Sequence, residues 1–262
     1  MIWQDLLGIR TEAPLVLNIT NYVVMNTTAN ALLAIGASPV MANAPEEIEE
    51  MTGLARALVI NIGTLSTPWI EAMLIAGKEA NRRKIPVILD PVGCGATQFR
   101  TDTAKRLIKE IQPSVIRGNA SEISSLIRSG SGAKGVDSQH TPDEVWNDAH
   151  LLSRSSGCVI SVSGPVDLIV EGDNVLRIAN GHPLMTKVTG MGCTASALTG
   201  AFAATNTSSF MAAAHAMAVM GIAGELASER SVGPGSFQMN FLDALYCMQE
   251  SDIAQRLKMH SM

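Results

Sequence analysis

Short runs of apolar, often β-branched residues alternate along this chain with longer amphipathic stretches. Five of these runs are almost continuously apolar, which is typical of strands buried on both faces of a sheet. They lie at residues 15–20, 57–62, 85–89, 114–117 and 158–162. A further alternating pattern at residues 166–180 predicts a β-hairpin that turns at Gly172-Asp173.

The stretches between the strands carry signals for helix starts. Asn26 or Thr27 is expected to cap the helix that follows it. Thr67 is followed by Pro68, which predicts an N-cap and a proline in the first helical position. The sequence Thr-Pro-Asp-Glu at 141–144 is typical of a capping box.

The C-terminal part of the chain is predicted to be entirely helical, with helices at roughly 193–205, 208–229 and 239–250. Alternating strands and helices followed by this segment predict an α/β fold with a mostly parallel central sheet, flanking helices and a helical C-terminal region. The glycine- and serine-rich stretch at 129–135 is predicted to be a surface loop and is too short to separate two domains. We therefore expect one domain over residues 1–262.

Composition and charge narrow the classes of function. The 262 residues carry 19 Lys and Arg against 24 Asp and Glu, a formal net charge of −5, without a basic cluster. Nucleic acids and anionic membranes attract concentrated positive charge, so we expect neither partner. The apolar stretch at 210–227 is interrupted by His215 and Glu225, which favours a buried helix over a membrane span.

The four cysteines of the chain lack metal-ligand spacing such as C-x-x-C. The first residues lack a basic start followed by an apolar stretch, so we expect no signal peptide. Reduced thiols are typical of the cytosol. We therefore expect a cytoplasmic location.

Polar residues follow several of the predicted strands. One strand ends in NIGT (61–64), and Asp90 follows the next strand. Arg117 and Glu122 lie at the end of a third, and Ser163 and Gly164 follow a fourth. Strands of a parallel sheet end at one edge, and ligands of open α/β sheets bind beyond that edge. We therefore expect these residues to line one site.

The charged residues of this edge suggest phosphate chemistry. Asp90 and Glu122 are two carboxylates that could hold Mg²⁺ directly or through its waters. Arg117 carries a permanent charge, and the forked geometry of its guanidinium N–H groups matches phosphate oxygens. Each also has a structural alternative: Asp90 could cap a turn, Glu122 could stabilise the first turn of a helix, and Arg117 could form an ion pair.

Residues 189–193, Thr-Gly-Met-Gly-Cys, open an uncharged helix that is rich in small residues. Free N–H groups at a helix start form an anion site, and glycines let a ligand approach the backbone. This nest could hold the charge of a transferring phosphoryl group; a glycine-rich packing turn is the alternative. The same residues match G-x-G-x-x-A, but they follow a predicted hairpin instead of opening a βαβ unit.

Other catalytic patterns are missing from the sequence. It contains no G-x-x-x-x-G-K-[ST], no H-E-x-x-H and no G-x-S-x-G. A P-loop is thereby excluded, and a zinc protease or an α/β-hydrolase loses its usual support.

Longer motifs in a fixed order carry a resemblance to a known family. They are NITNYVVMNTTANALLAIGASPVM (18–41), ALVINIGTL (57–65), VILDPVGCGAT (87–97), IRGNASEI (116–123), LMTKVTGMGC (184–193) and GPGSF (233–237). Over nearly the whole chain they resemble the hydroxyethylthiazole kinases of thiamine salvage, a branch of the ribokinase-like superfamily. The resemblance implies a ribokinase-like fold and phosphorylation of the hydroxyl of 4-methyl-5-(2-hydroxyethyl)thiazole by ATP with Mg²⁺. It also implies a homotrimer whose active sites lie between subunits.

The resemblance assigns binding roles to four residues. Met41 and Gly190 would contact the thiazole, and Arg117 and Ser163 would contact ATP. Ser163 stands where the family pattern has Thr, and its hydroxyl is retained.

The resemblance further implies that Asp90 and Glu122 serve the metal and the phosphates. Cys193 would lie beside the reacting hydroxyl, at the catalytic helix start formed with Gly190 and Gly192. Many sugar kinases of the superfamily have Asp at the position of Cys193, which leaves the identity of the base open. The helix start favours some thiolate at Cys193 and nearby phosphate charge opposes it, so we expect a weak base that is not indispensable.

Two further positions depart from the family pattern, and three alternative functions are left open. Met191 stands between the two glycines where Ala or Thr is usual, and Leu17 stands where some relatives carry His. A kinase for hydroxymethylpyrimidine and an ATP-dependent hydro-lyase of the same superfamily are alternatives. A binding protein without turnover is a third, and Cys193 in place of Asp is the feature that favours it.

Overall fold

The computed structural model describes residues 1–128 and 142–261, and only the backbone of residues 142 and 143. The predicted loop at 129–135 and Thr141, the first residue of the predicted capping box, lie outside the described residues.

One sheet runs through the centre of the fold, and the described residues contribute nine strands to it. These are β1 (Leu15–Ile19), β2 (Ser38–Met41), β3 (Ala57–Asn61), β4 (Val87–Asp90), β5 (Val115–Asn119), β6 (Val159–Ser163), β7 (Asp167–Glu171), β8 (Asn174–Ile178) and β9 (Met259–Ser261). The order across the sheet is β2-β1-β3-β4-β5-β6-β7-β8-β9. Strands β1 to β6 are parallel and β7 to β9 are antiparallel.

Helices cover both faces of the sheet. In chain order they are α1 (Ile2–Glu12), α2 (Met25–Ile35), α3 (Ile48–Leu54), α4 (Thr67–Arg83), α5 (Gln98–Ile111), α6 (Ala120–Ile127), α7 (Pro142–Ser156), α8 (Met191–Thr205), α9 (Ser209–Ser228), α10 (Pro234–Cys247) and α11 (Glu250–Arg256). Helices α3 to α7 pack on one face, and α1, α2 and α8 to α11 pack on the other. The predicted α/β fold with a mostly parallel sheet and C-terminal helices is therefore confirmed.

The five apolar runs form β1, β3, β4, β5 and β6, each within about two residues of its predicted limits. The predicted hairpin is β7 and β8, in which Glu171 pairs with Asn174 across a turn that has Gly172 at φ +56°. Strand β2 was missed, because four half-buried residues that include Pro39 lack a strand pattern.

Two local predictions are wrong. Helix α2 begins at Met25 after Val24, and the side chain of Asn26 bonds to Asn30 inside the helix instead of capping it. Thr67 is already helical and follows Ser66, so the predicted cap is displaced by one residue. Proline fits either early position, because the first N–H groups of a helix have no intrahelical acceptor.

The C-terminal part is not entirely helical. Helices α8, α9 and α10 occupy the predicted regions, but α10 begins at Pro234, five residues before its predicted start at 239. After α11, the last described residues form β9, which pairs with the open edge of β8. Three residues carry no local strand signal, so only tertiary pairing makes this strand.

Helix α9 is long and apolar enough by composition to cross a membrane, yet 78% of its most apolar 18-residue segment is buried inside the fold. It packs against α8, α10 and strands β5 to β8. It is a core helix of the described fold, as its interrupted apolar pattern predicts.

Candidate active site

A row of polar side chains crosses the parallel sheet on the face that α8 covers. Asn61 on β3 pairs with Asp90 on β4, and Arg117 on β5 pairs with Ser161 on β6. All four are buried. The predicted shared edge therefore exists, and it brings a carboxylate and a guanidinium under the start of α8.

Asp90 is held by two donors on one of its oxygens. Oδ2 accepts from Asn61 Nδ2 at 2.8 Å and from Ser196 Oγ at 2.7 Å. Burial raises the pKa of Asp90 to about 6, although the nearby charge of Arg117 and these two hydrogen bonds act in the opposite direction. The carboxylate is thus a buried, oriented anion with one oxygen left outside these bonds.

Glu122 is the acid of a complete capping box at the start of α6. Its Oε2 accepts from the Asn119 amide at 2.8 Å, and its own amide donates to Asn119 Oδ1 at 2.9 Å. Oε1 accepts from the Gly93 amide at 2.9 Å, in the turn that follows Asp90. Glu122 therefore has the structural role weighed above, and it also ties the ends of β4 and β5 together.

The start of α8 offers free N–H groups. Gly190 adopts φ +86°, no side chain caps the helix, and the first helical bond runs from the Thr194 amide to the Gly190 carbonyl. The amides of Met191, Gly192 and Cys193 precede that bond, so none of them has an intrahelical acceptor. The side chain of Met191 packs in the core instead of covering them.

Arg117 lies directly against this helix start. Its Nη1 donates to the carbonyl oxygen of Gly192 at 2.9 Å, and its buried Nε has no protein partner. A Cβ built on Gly192 would lie 3.0 Å from the same Nη1. The uncapped amides of α8, the guanidinium of Arg117 and the dipole of the helix together favour an anion.

Cys193 is half-buried beside these groups, with Asn21 Nδ2 at 3.5 Å from its Sγ. Burial and the nearby charge of Asp90 raise the pKa of the thiol to about 11. Desolvation and a neighbouring carboxylate therefore outweigh the helix N-terminus, which by itself favours the thiolate. Near neutral pH, Cys193 presents a neutral thiol.

Comparison with known proteins decides the family. The model of the hydroxyethylthiazole kinase family matches residues 6–251. A hydroxyethylthiazole kinase from Syntrophus aciditrophicus is 57% identical over 98% of this chain and 95% of its own length. The chain belongs to the hydroxyethylthiazole kinase family.

Solved structures agree with this assignment. The structure of a hydroxyethylthiazole kinase protein from Pyrococcus horikoshii OT3 has a TM-score of 0.92 at 43% identity and covers 100% of this chain and 98% of that chain. A pyridoxal kinase from Staphylococcus aureus in complex with AMP-PCP and pyridoxal has a TM-score of 0.62 at 16% identity, covers 81% of this chain and 88% of that one, and shows the shared fold alone. The chain is thus an enzyme of an ATP-dependent kinase family, with hydroxyethylthiazole kinase activity in thiamine biosynthesis. This family decides against the hydro-lyase and hydroxymethylpyrimidine alternatives.

Met41 and Ser163 lie at opposite ends of the parallel part of this kinase sheet. Met41 ends the edge strand β2 and pairs with Asn18, while Ser163 ends β6 and pairs with Asn119. Five strand spacings of about 4.8 Å separate β2 from β6, which amounts to roughly 24 Å. The two predicted contacts are therefore not brought together, and the anion site at α8 lies between them.

Two polar residues of this site, Asn21 and Ser196, were missed by the sequence analysis, and a third, Asn61, was predicted only as part of the strand end NIGT. Asn21, Asn61 and Ser196 form a hydrogen-bonded chain with Asp90 and Cys193. The signal was present in NITN and NIGT, where an asparagine ends an apolar strand. Their contacts with Asp90 depend on register between strands that lie far apart in sequence.

The residues fit Mg²⁺ bound mainly through waters and phosphates. Among the described residues there is no group of three or more His, Cys, Asp or Glu side chains that could hold a metal alone. Magnesium commonly takes one or two protein carboxylates and completes its shell with waters and substrate phosphates. Asp90 has a carboxylate oxygen outside its two hydrogen bonds, and each Glu122 oxygen retains a lone pair beyond its backbone contact.

Proposed function

We propose that this protein transfers the γ-phosphoryl group of ATP to the hydroxyl of 4-methyl-5-(2-hydroxyethyl)thiazole, at the start of α8. The observation that carries this proposal is the uncapped N-terminus of α8 with the guanidinium of Arg117 on its first turn. Phosphoryl transfer asks little covalent chemistry of a protein and depends on positioning and charge stabilisation. The free amides of the helix start and the guanidinium offer donors for the negative charge of the transferring group.

The ends of the sheet suggest where the two substrates bind. Met41 and Gly190 would contact the thiazole, and Arg117 and Ser163 would contact ATP, with the transferring group over the amides of Met191 to Cys193. A separation of roughly 24 Å between β2 and β6 leaves room for a nucleotide and a small ring on opposite sides of that point.

Asp90 and Glu122 would hold Mg²⁺, directly or through waters, together with the phosphates. The ion would neutralise charge on the phosphate oxygens during transfer. The two donors on Asp90 fix its carboxylate, and the two backbone amides on Glu122 fix that side chain relative to the turn after β4.

Cys193 would orient the substrate hydroxyl and not act as a strong base. A neutral thiol with a pKa of about 11 takes up a proton poorly near neutral pH. A largely dissociative transfer needs only modest help from a base, so a weak one suffices.

A homotrimer with sites between subunits is part of the proposal. Met41 lies on the edge strand β2, where the sheet has no further strand to enclose a ligand among the described residues. Tyr22 and Val23, just after β1, are 67% and 68% exposed, and such apolar side chains suit a subunit contact. Sedimentation equilibrium tests it: a trimer is expected, and an active monomer at micromolar concentration would overturn it.

We also propose a cytoplasmic location, which rests on four free cysteines. Cell fractionation tests it, with the activity expected in the soluble cytoplasmic fraction.

The decisive experiment for the activity is identification of the product. The protein is incubated with ATP, Mg²⁺ and either the thiazole alcohol or hydroxymethylpyrimidine, and mass spectrometry measures the phosphate ester formed. We expect the thiazole phosphate at the higher rate. A faster reaction with the pyrimidine would overturn the substrate assignment, and binding without any ester in a single-turnover assay would indicate a binding protein.

A further inference from the structure

Two buried asparagines connect the reactive groups on both sides of the α8 start. Asn61 Nδ2 donates to Asp90 Oδ2 at 2.8 Å, and its Oδ1 accepts from Asn21 Nδ2 at 2.9 Å. The same Asn21 nitrogen lies 3.5 Å from Cys193 Sγ. Asn21 is 5% exposed and Asn61 is 1% exposed, so water does not compete strongly for these bonds.

Backbone donors fix the orientation of both amides. The Val23 amide donates to Asn21 Oδ1 at 3.1 Å, and the Gly63 amide donates to Asn61 Oδ1 at 2.9 Å. A backbone N–H can only donate, so the atom facing it must be the side-chain oxygen. The NH₂ groups are thereby directed away from the turns and toward Asp90 and Cys193.

Gly63 provides the space for this arrangement. A Cβ at Gly63 would lie 2.6 Å from Asn21 Nδ2 and 2.9 Å from Asn21 Cβ and Cγ. The φ of Gly63 is outside the left-handed region, so its backbone conformation does not require glycine. Close approach of the Asn21 amide explains the glycine.

Burying two amides in a core costs free energy unless every polar group finds a partner. Here both side-chain amides have hydrogen-bond partners. The NH₂ group of Asn21 donates to the Cys193 thiol and that of Asn61 donates to the Asp90 carboxylate, both at the proposed site of transfer. Fully satisfied polar networks of this kind hold side chains in one arrangement.

We propose that Asn21 and Asn61 are positioning residues for the phosphoryl transfer, and that they fix the Cys193 sulfur and the Asp90 carboxylate beside the start of α8. This inference rests on the proposed function. Because Asn21 donates to the sulfur, the S–H of Cys193 is directed away from Asn21. The thiol is then oriented by a neighbour, without any change in its charge.

A double-mutant cycle tests whether Asn21 acts through Cys193. We expect Asn21→Ala to lower kcat about 10-fold in the natural background, because the thiol loses its orientation. In a Cys193→Ala background the same change should lower kcat less than about 3-fold, since there is no sulfur left to hold. If Asn21→Ala lowers kcat by the same factor in both backgrounds, its role is purely structural and the proposal is overturned.

Asn18 offers the matched control. It is buried on β1, and its Nδ2 donates to the carbonyl oxygen of Val16 and not to Cys193. Asn18→Ala should change kcat by the same factor in both backgrounds. If Asn21→Ala does not fold, Asn21→Ser replaces it, because a serine oxygen can still accept from the Val23 amide.

A second variant displaces the amide without removing it. Gly63→Ala should reproduce the kcat loss of Asn21→Ala, and the double variant should be no slower than either single variant. A multiplicative loss in the double variant would overturn the proposal.

Labelling of Cys193 by iodoacetamide provides a readout that does not depend on turnover. Mass spectrometry of the Cys193 peptide should show labelling at least about 3-fold slower in Gly63→Ala, because the sulfur loses a donor that stabilises its thiolate. Asn18→Ala should leave the rate unchanged. If labelling is not slower in Gly63→Ala than in the natural protein, the positioning role is overturned. If labelling is slower but the natural protein makes no thiazole phosphate, the failure lies in the proposed function and not in the positioning role.

Discussion

Arg117 Nη1 donates to the carbonyl oxygen of Gly192 at 2.9 Å, and a Cβ on Gly192 would lie 3.0 Å from that nitrogen. A side chain at position 192 would therefore press on the guanidinium, and a bulky one would have to displace it. This contact joins β5 to the first turn of α8 and holds the guanidinium beside the free amides of the helix start.

Gly192→Val should abolish turnover, with kcat reduced more than about 100-fold, because the side chain displaces Arg117 and covers the free amides. Steady-state kinetics measures this loss, after circular dichroism has established that the variant is folded. Gly235→Ala is the matched control: it lies in the first turn of α10, and a Cβ there meets nothing within 4 Å. Turnover by a folded Gly192→Val variant above a tenth of the natural rate would contradict the assignment.

Asp90→Asn should lower kcat and raise the Mg²⁺ concentration needed for half-maximal rate, because a neutral amide binds the ion less well. Glu122→Gln should do the same and also lower the free energy of unfolding by about 1–2 kcal/mol, because one of its two backbone donors loses an acceptor. Mg²⁺ titrations of the rate, paired with denaturant unfolding, separate the two effects. Unchanged Mg²⁺ dependence in both variants would refute the metal role.

Arg117→Ala should raise the KM for ATP more than the KM for the thiazole alcohol, because the guanidinium is expected to contact phosphate oxygens. Ser163→Ala should show a smaller change in the same direction, since it loses one hydroxyl near the end of β6. Initial rates with each substrate varied in turn give both constants. A larger effect on the alcohol would reverse the proposed arrangement of the two substrates.

Cys193→Ser should retain measurable kinase activity, and Cys193→Asp should be tolerated because it restores the acid of related sugar kinases. The pKa of Cys193 is raised to about 11, so its thiol stays protonated across the neutral range. The rates of the natural enzyme and Cys193→Ser should therefore vary in parallel between about pH 6.5 and 9. Complete loss of activity in a folded Cys193→Ser variant would make the thiol the main catalytic group.

Asp167, at the start of β7, should make stability depend on pH. Burial raises its pKa to about 6, although the Gly164 amide donates to its Oδ1 at 3.0 Å. The unfolded carboxyl ionises near pH 4, so the folded state binds more protons between about pH 4 and 6 and gains stability as pH falls through that range.

Relative to Asp167→Asn, the natural protein should gain about 1–3 kcal/mol of unfolding free energy when the pH is lowered from 7.5 to 4.5. Urea denaturation of both proteins at the two pH values measures the difference. The Asn side chain can still accept from the Gly164 amide, so it is a matched neutral control. A difference that does not change with pH would show that Asp167 keeps an ordinary pKa.

Apolar patterning is local, and it determined much of this fold, whereas the predicted helix caps at Asn26 or Thr27 and at Thr67 were wrong. Five continuous apolar runs predicted the parallel core of the sheet, and Gly172-Asp173 predicted the hairpin turn. The residues that follow the strands also predicted one shared polar edge, because parallel strands must end together. Asp90 and Arg117 could be assigned to a single site for this reason, whereas the start of α8 was placed there by the family resemblance.

The tertiary structure decided the features that depend on distant neighbours. Strands β2 and β9 exist only because an open sheet edge pairs with them, and the Asn21–Asn61–Asp90 chain depends on register between strands. The pKa of Cys193 is also a tertiary property. Its position at a helix start favours the thiolate, but burial beside Asp90 has the larger effect, and the sequence alone does not show how deeply a side chain is buried.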